Sequence, residues 1–73
     1  MDELTYTKGI YTATPQVRHL DNGQYQGVVS LARDDGADAE TSLYEAKTTS
    51  PSAHEALEEA KALAHQILGE LEL

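Results

Sequence analysis

A chain of 73 residues with 13 acidic and 5 basic side chains carries a formal charge of −8 and a pI near 4.5. That balance repels nucleic acid and anionic lipid, and the absence of cysteine excludes disulfides and thiolate zinc sites. No apolar run approaches the ~20 residues that span a bilayer, and at this size folding buries only roughly 60% of the unfolded surface. The expectation is one thin-cored domain over residues 1–73 that needs no cofactor.

The opening stretch, "MDELTYTKGIY", lacks the basic and apolar regions of a secretory leader. A cytoplasmic location is therefore expected, and residues 1–8 read as frayed.

The first ordered signal is "VRHLDNGQYQGVVSLA", where Asn-Gly joins two β-rich runs. A two-residue loop, Asn22-Gly23, would split the apolar side chains between faces. A three-residue loop, Asp21-Asn22-Gly23, pairs His19 with Tyr25 and Val17 with Gly27. One face then gathers Tyr11, Ala13, Val17, Tyr25, Val29 and Leu31; the other gathers Thr12, Thr14, Gln16, Arg18, Gln24, Gln26 and Ser30. Because a one-residue slip flips every side chain, this separation selects the longer loop, with Gly23 left-handed. Strands are expected at about residues 10–20 and 24–33. Pro15 cannot donate to a ladder, which places the first strand at a sheet edge or breaks it with a bulge.

Next comes "RDDGADAETS", which packs Asp34, Asp35, Asp38 and Glu40 into a short span. An EF-hand loop needs alternating oxygen ligands, glycine at its sixth position and glutamate at its twelfth. Starting from Asp34 the sixth position is Ala39, and starting from Asp35 the third is Ala37, so neither register fits. The stretch reads as a polar strand connection turning at Asp35-Gly36, and no metal site is expected. A third strand follows at about 41–48, "TSLYEAKT", in which Leu43 points one way and Tyr44 and Ala46 the other.

"SPSAHEALEEAKALAHQILGEL" is the clearest helix signal, expected over about 51–69 with residues 70–73 frayed. Ser50 can cap with Pro51 in the first turn, or Ser52 can form a capping box with Glu55. Ala53, Ala56, Leu57, Ala60, Leu63, Ala64, Ile67, Leu68 and Leu71 fill one stripe, with Glu55, Glu58, Glu59, Lys61, Gln66 and Glu70 opposite. "HEALE" has the first two residues of a zincin motif, but Glu58 stands where the second histidine belongs. His54, Glu58, Lys61 and His65 instead form a ridge of surface pairs. No motif positions a nucleophile against a base, and no glycine loop cradles phosphate, so the chain reads as no enzyme. His19 reads as a partly buried ring.

The expected class is α+β: a three-stranded antiparallel meander followed by one amphipathic helix packed on one face (βββα). On "NGQYQGVVSL" and "SAHEALEEAKALA", residues 17 to 65 resemble the βββα part of double-stranded-RNA-binding-like domains and of HicB-type antitoxin domains. The resemblance implies the layout only. RNA-binding members place lysines at this helix start, where Glu55, Glu58 and Glu59 stand here; the antitoxin domains place a Pro-Gly segment where this chain has its acidic loop.

A meander with one helix leaves the far face of the sheet uncovered, with Leu20, Val28, Ala32 and Leu43 among polar residues. The expected function is a small acidic protein-interaction module, a homodimer pairing faces or edges. An antitoxin or inhibitor that turns its acidic surface to a basic protein is the alternative. The expected partner surface comprises Leu20, Val28, Asp34, Asp35, Asp38 and Glu40, with no nucleic acid and no membrane as partner.

Overall fold

The structure is a computed structural model that describes residues 5–34 and 39–71. Its elements run β1 (Tyr6–Lys8), β2 (Tyr11–His19), β3 (Tyr25–Asp34), β4 (Ala39–Ser50) and α1 (Ala53–Glu70), with the strands in sheet order β1-β2-β3-β4. The class is α+β as expected, but the meander has four strands rather than three.

The additional strand falls where the sequence reads as frayed. Lys8 and Tyr11 pair across Gly9-Ile10, and Gly9 sits at φ 62. A glycine with positive φ at the first of two turn residues is the type II′ pattern, whose twist matches the strands it joins. β1 pairs Tyr6 with Ala13 and Thr7 with Thr12, so β2 becomes an inner strand.

Between β2 and β3 the three-residue loop forms as its facing requires. His19 pairs with Tyr25, Val17 with Gly27, and Gly23 takes φ 81. The Leu20 N–H donates to the Gln24 carbonyl at 2.8 Å, the Gly23 N–H to the Leu20 carbonyl at 3.1 Å, and the Gln24 N–H to Asn22 Oδ1 at 3.0 Å. Since even-numbered β2 residues therefore bond β3, Pro15 aims its nitrogen at the β1 flank. The described β1 ladder ends one turn of the pleat earlier, at Ala13. Pro15 is thus tolerated without a bulge in the β2–β3 register.

The core lies between the sheet and α1. Ala13, Val29, Leu31, Ala60, Ala64, Ile67 and Leu68 form one buried cluster, with Tyr6, Tyr11, Leu63 and Leu71 packed against it. Small residues set how close the layers come. A Cβ on Gly27 would lie 2.5 Å from the Ala56 carbonyl oxygen and 3.1 Å from Ala60 Cβ, so glycine in mid-strand lets the helix rest on β3. Opposite Gly27, β4 bulges: Gln26 pairs with Thr49 and Val28 with Glu45, and the Gln26 amide donates to the freed Ala46 carbonyl at 3.0 Å.

The helix starts at the later of the two expected caps. Its N-cap is Ser52, without a side-chain cap bond, and Pro51 precedes it. Ser50 closes β4 instead: it is buried, and its hydroxyl donates to Glu59 at 3.3 Å. Thr48 donates to the same carboxylate at 3.4 Å, which draws Glu59 from the expected solvent face toward β4. Ala53, expected in the buried stripe, is exposed on the first turn.

Candidate functional site

Of the six residues expected to form one partner surface, the described ones do not all lie together. Leu20 is half-buried where β2 ends, whereas Asp34 and Glu40 flank the opposite end of the β3–β4 pair. At ~3.3 Å per residue, β3 alone separates these ends by about 30 Å. Asp35 and Asp38 lie outside the described residues, as does the expected turn at Asp35-Gly36. Asp34 is exposed, and its N–H donates to the Ile10 carbonyl at 2.9 Å. Glu40 is exposed opposite Arg33.

Val28 corrects the expectation of an open apolar face. Its side chain points away from α1, yet it is only 5% exposed. On β3 it lies between Gln16 of β2 and Glu45 of β4. Arg18 Nη2 reaches Glu45 Oε1 at 3.2 Å, so this pair crosses β3 between Gln26 and Val28. Long polar side chains thus roof the valine, their stems supplying apolar cover.

The exposed large apolar residues among those described are Leu43 at 59%, Tyr44 at 41% and Ile10 at 41%. Leu43 pairs with Ser30 and therefore lies on the face away from α1; Tyr44 pairs with Val29, on the helix side. The "Leu-Tyr" dipeptide carried this signal. Adjacent strand residues point to opposite faces, so a sheet with one covered face cannot bury both. At an edge strand that the helix barely reaches, neither is covered.

β4 itself is the open edge. It spans 12 residues, nearly all exposed, with β3 on one side and no described strand on the other. β2 spends its even positions on β3, so β3 spends its odd positions on β4, at Val29–Tyr44, Leu31–Ser42 and Arg33–Glu40. Thr41, Leu43 and Glu45 consequently direct their N–H and carbonyl groups outward, as an unpaired row.

Two surface clefts lie against α1. One, of about 490 Å³, opens between β1 and the end of α1. Its Lys8 amine is engaged by the Leu68 and Leu71 carbonyls at 2.8 and 3.2 Å, and its His65 ring rests on Tyr6 at 4.3 Å. The other, about 370 Å³, lies between the β4 bulge and α1, where Glu59 accepts the Thr48 and Ser50 hydroxyls. The helix ridge is partly realised: His54 and Lys61 approach Glu58 at 3.8 and 3.7 Å, but His65 leaves it for Tyr6. His19, expected half-buried, is exposed and stacks on Tyr25 at 4.9 Å. Among the described residues no group of three or more His, Asp or Glu could hold a metal ion, and no helix is long and apolar enough to cross a membrane.

No family model, curated protein or solved structure matches the chain.

Proposed function

We propose that this chain is a small, acidic, non-enzymatic protein-interaction module that self-associates through the uncovered side of its sheet, by face or by edge. One observation carries the reading: Leu43 and Tyr44 stand exposed side by side on an edge strand whose outward backbone groups have no described partner strand. Paired edges are how sheets remove such a liability, and twofold self-association is the commonest oligomer.

Light scattering on a sizing column, at low and moderate salt, tests the proposal. A species of twice the chain mass, forming as concentration rises, is the expected result. A monomer at every concentration would remove it.

The alternative is an antitoxin or inhibitor whose acidic surface meets a basic protein. The exposed Asp34 and Glu40, close in space at one end of β3–β4, favour it, as does the −8 charge.

A further inference from the structure

We infer that two copies join through β4 as an antiparallel, twofold pair centred on Leu43, giving one continuous eight-stranded sheet. The inference rests on the self-association proposed above and names its contact and register.

The backbone decides which registers are open. Only outward-facing positions can exchange hydrogen bonds across a new edge, and on the unbulged half of β4 these include Thr41, Leu43 and Glu45. A twofold axis at Leu43 sets Leu43 against Leu43 of the second copy, and Thr41 against Glu45 of the second copy, all as hydrogen-bonded pairs. Ser42 then faces Tyr44 of the second copy on the helix side. A one-residue slip would set outward groups against inward ones and form no ladder. A two-residue slip allows a ladder but sets Leu43 against Thr41 or Glu45.

Side chains choose among the allowed registers. Leu43, the most exposed of the described large apolar residues, meets its own copy on the face away from α1 only in the Leu43-centred register. Charge permits it: Glu45 opposes Thr41, so no two acids face each other across the new ladder despite the −8 carried by each chain. The bulge beyond Glu45 limits the new pairing to the flat half of β4. Among the described residues the other edge offers no equivalent, since β1 has three residues.

The chain has no cysteine, so single cysteines report the register cleanly. Ser42→Cys, Leu43→Cys and Tyr44→Cys are compared for disulfide formation with itself under mild oxidation, with exposed Ala53→Cys as control. The Leu43 pair would have Cα atoms about 5.5 Å apart, within disulfide reach. Leu43→Cys is expected to cross-link fastest of the four, and a mixture of the Ser42 and Tyr44 variants to form the mixed dimer. Fastest self-linking at position 42 or 44 would overturn the register.

Leu43→Pro removes an outward N–H while sparing the β3 ladder, and Leu43→Lys places a charge on the exposed edge without touching the backbone. Each is expected to weaken self-association at least about tenfold from ~10 μM to ~1 mM chain, with the circular dichroism spectrum kept by the lysine variant. A dimer that survives Leu43→Lys unweakened overturns the edge contact and leaves self-association to the open face. A wild-type monomer across that range overturns self-association itself, and the edge contact with it.

Discussion

On one side of the sheet, β1 contributes three residues, and two of them reach the helix: Tyr6 stacks on His65, and Lys8 caps the carbonyls of Leu68 and Leu71. On the other side, β4 runs for 12 residues and touches α1 chiefly near its end, where Thr48 and Ser50 donate to Glu59. The short edge is closed by side chains. The long edge leaves Thr41, Leu43 and Glu45 with backbone groups facing outward. A chain that lacked any use for β4 would be expected to blunt it along its whole length, with charges, proline or bulges. Here the bulge protects only the half beyond Glu45, and in the flat half the charges, Glu40 and Glu45, leave an uncharged run from Thr41 to Tyr44 between them.

The sharpest way to break this contrast is a proline scan along β4. Tyr44→Pro removes a donor to Val29 in the ladder, and its expected cost is about 2–4 kcal/mol, from a lost bond, an unpaired acceptor and local strain. Leu43→Pro, one residue away, removes a donor that faces outward, and its expected cost is under ~1 kcal/mol. Urea melts at a concentration too low for association measure both. Equal losses at the two positions would mean that the inward and outward assignment of β4 is wrong.

How much of this was legible beforehand depended on whether the signal was local. The Asp21-Asn22-Gly23 loop could be chosen from side-chain facing alone, because its two strands are contiguous and their alternation is unambiguous. The helix stripe was equally local, and its alanines marked the close approach that Gly27 completes. β1 was missed although its turn is written in "TKGIY": Gly9 at the first turn position between Thr- and Tyr-rich flanks fits a two-residue hairpin. Three residues of strand were too few to show alternation. The cap was left between Ser50 and Ser52 because each allows a helix start, and Ser52 takes the position. The Ser50 hydroxyl is spent on Glu59, further along the helix. Val28 could not have been read at all. Its burial depends on Arg18 meeting Glu45 across an intervening strand, a contact between β2 and β4 that no spacing reveals. The spread of the expected partner surface was hidden for the same reason: its residues were grouped by sequence character, and the meander sends Leu20 and Asp34 to opposite ends.

A matched pair of truncations sharpens the comparison further. Tyr6→Ala removes a half-buried ring packed on the core and on His65, and is expected to cost about 2 kcal/mol with no effect on self-association. Leu43→Ala removes a side chain already in water, and is expected to change chain stability by no more than ~0.5 kcal/mol while weakening the dimer. Thermal melts of dilute samples, with light scattering of concentrated ones, separate the two effects. A Leu43→Ala variant that loses as much stability as Tyr6→Ala would place Leu43 in the fold and not at its edge.

The smallest effect belongs to Lys8. The last turn of α1 contains no basic residue and includes Glu70, the wrong sign for the negative end of a helix dipole. Lys8 supplies the missing cation from a strand more than half the chain away, donating to the Leu71 carbonyl and to the Leu68 carbonyl, which also accepts the Leu71 N–H at 3.3 Å. Lys8→Met keeps the aliphatic stem and deletes the ammonium, so its expected cost is about 1 kcal/mol. Because the contact closes the C-terminal turn, amide exchange should quicken at Gly69 and Leu71 well before it changes at Ala60 or Ala64. Lys8→Arg keeps a donor and a charge, and is expected to recover part of the loss. Uniform loss of protection along α1 would mean that Lys8 supports the whole helix, and that the short edge is a stability element in its own right.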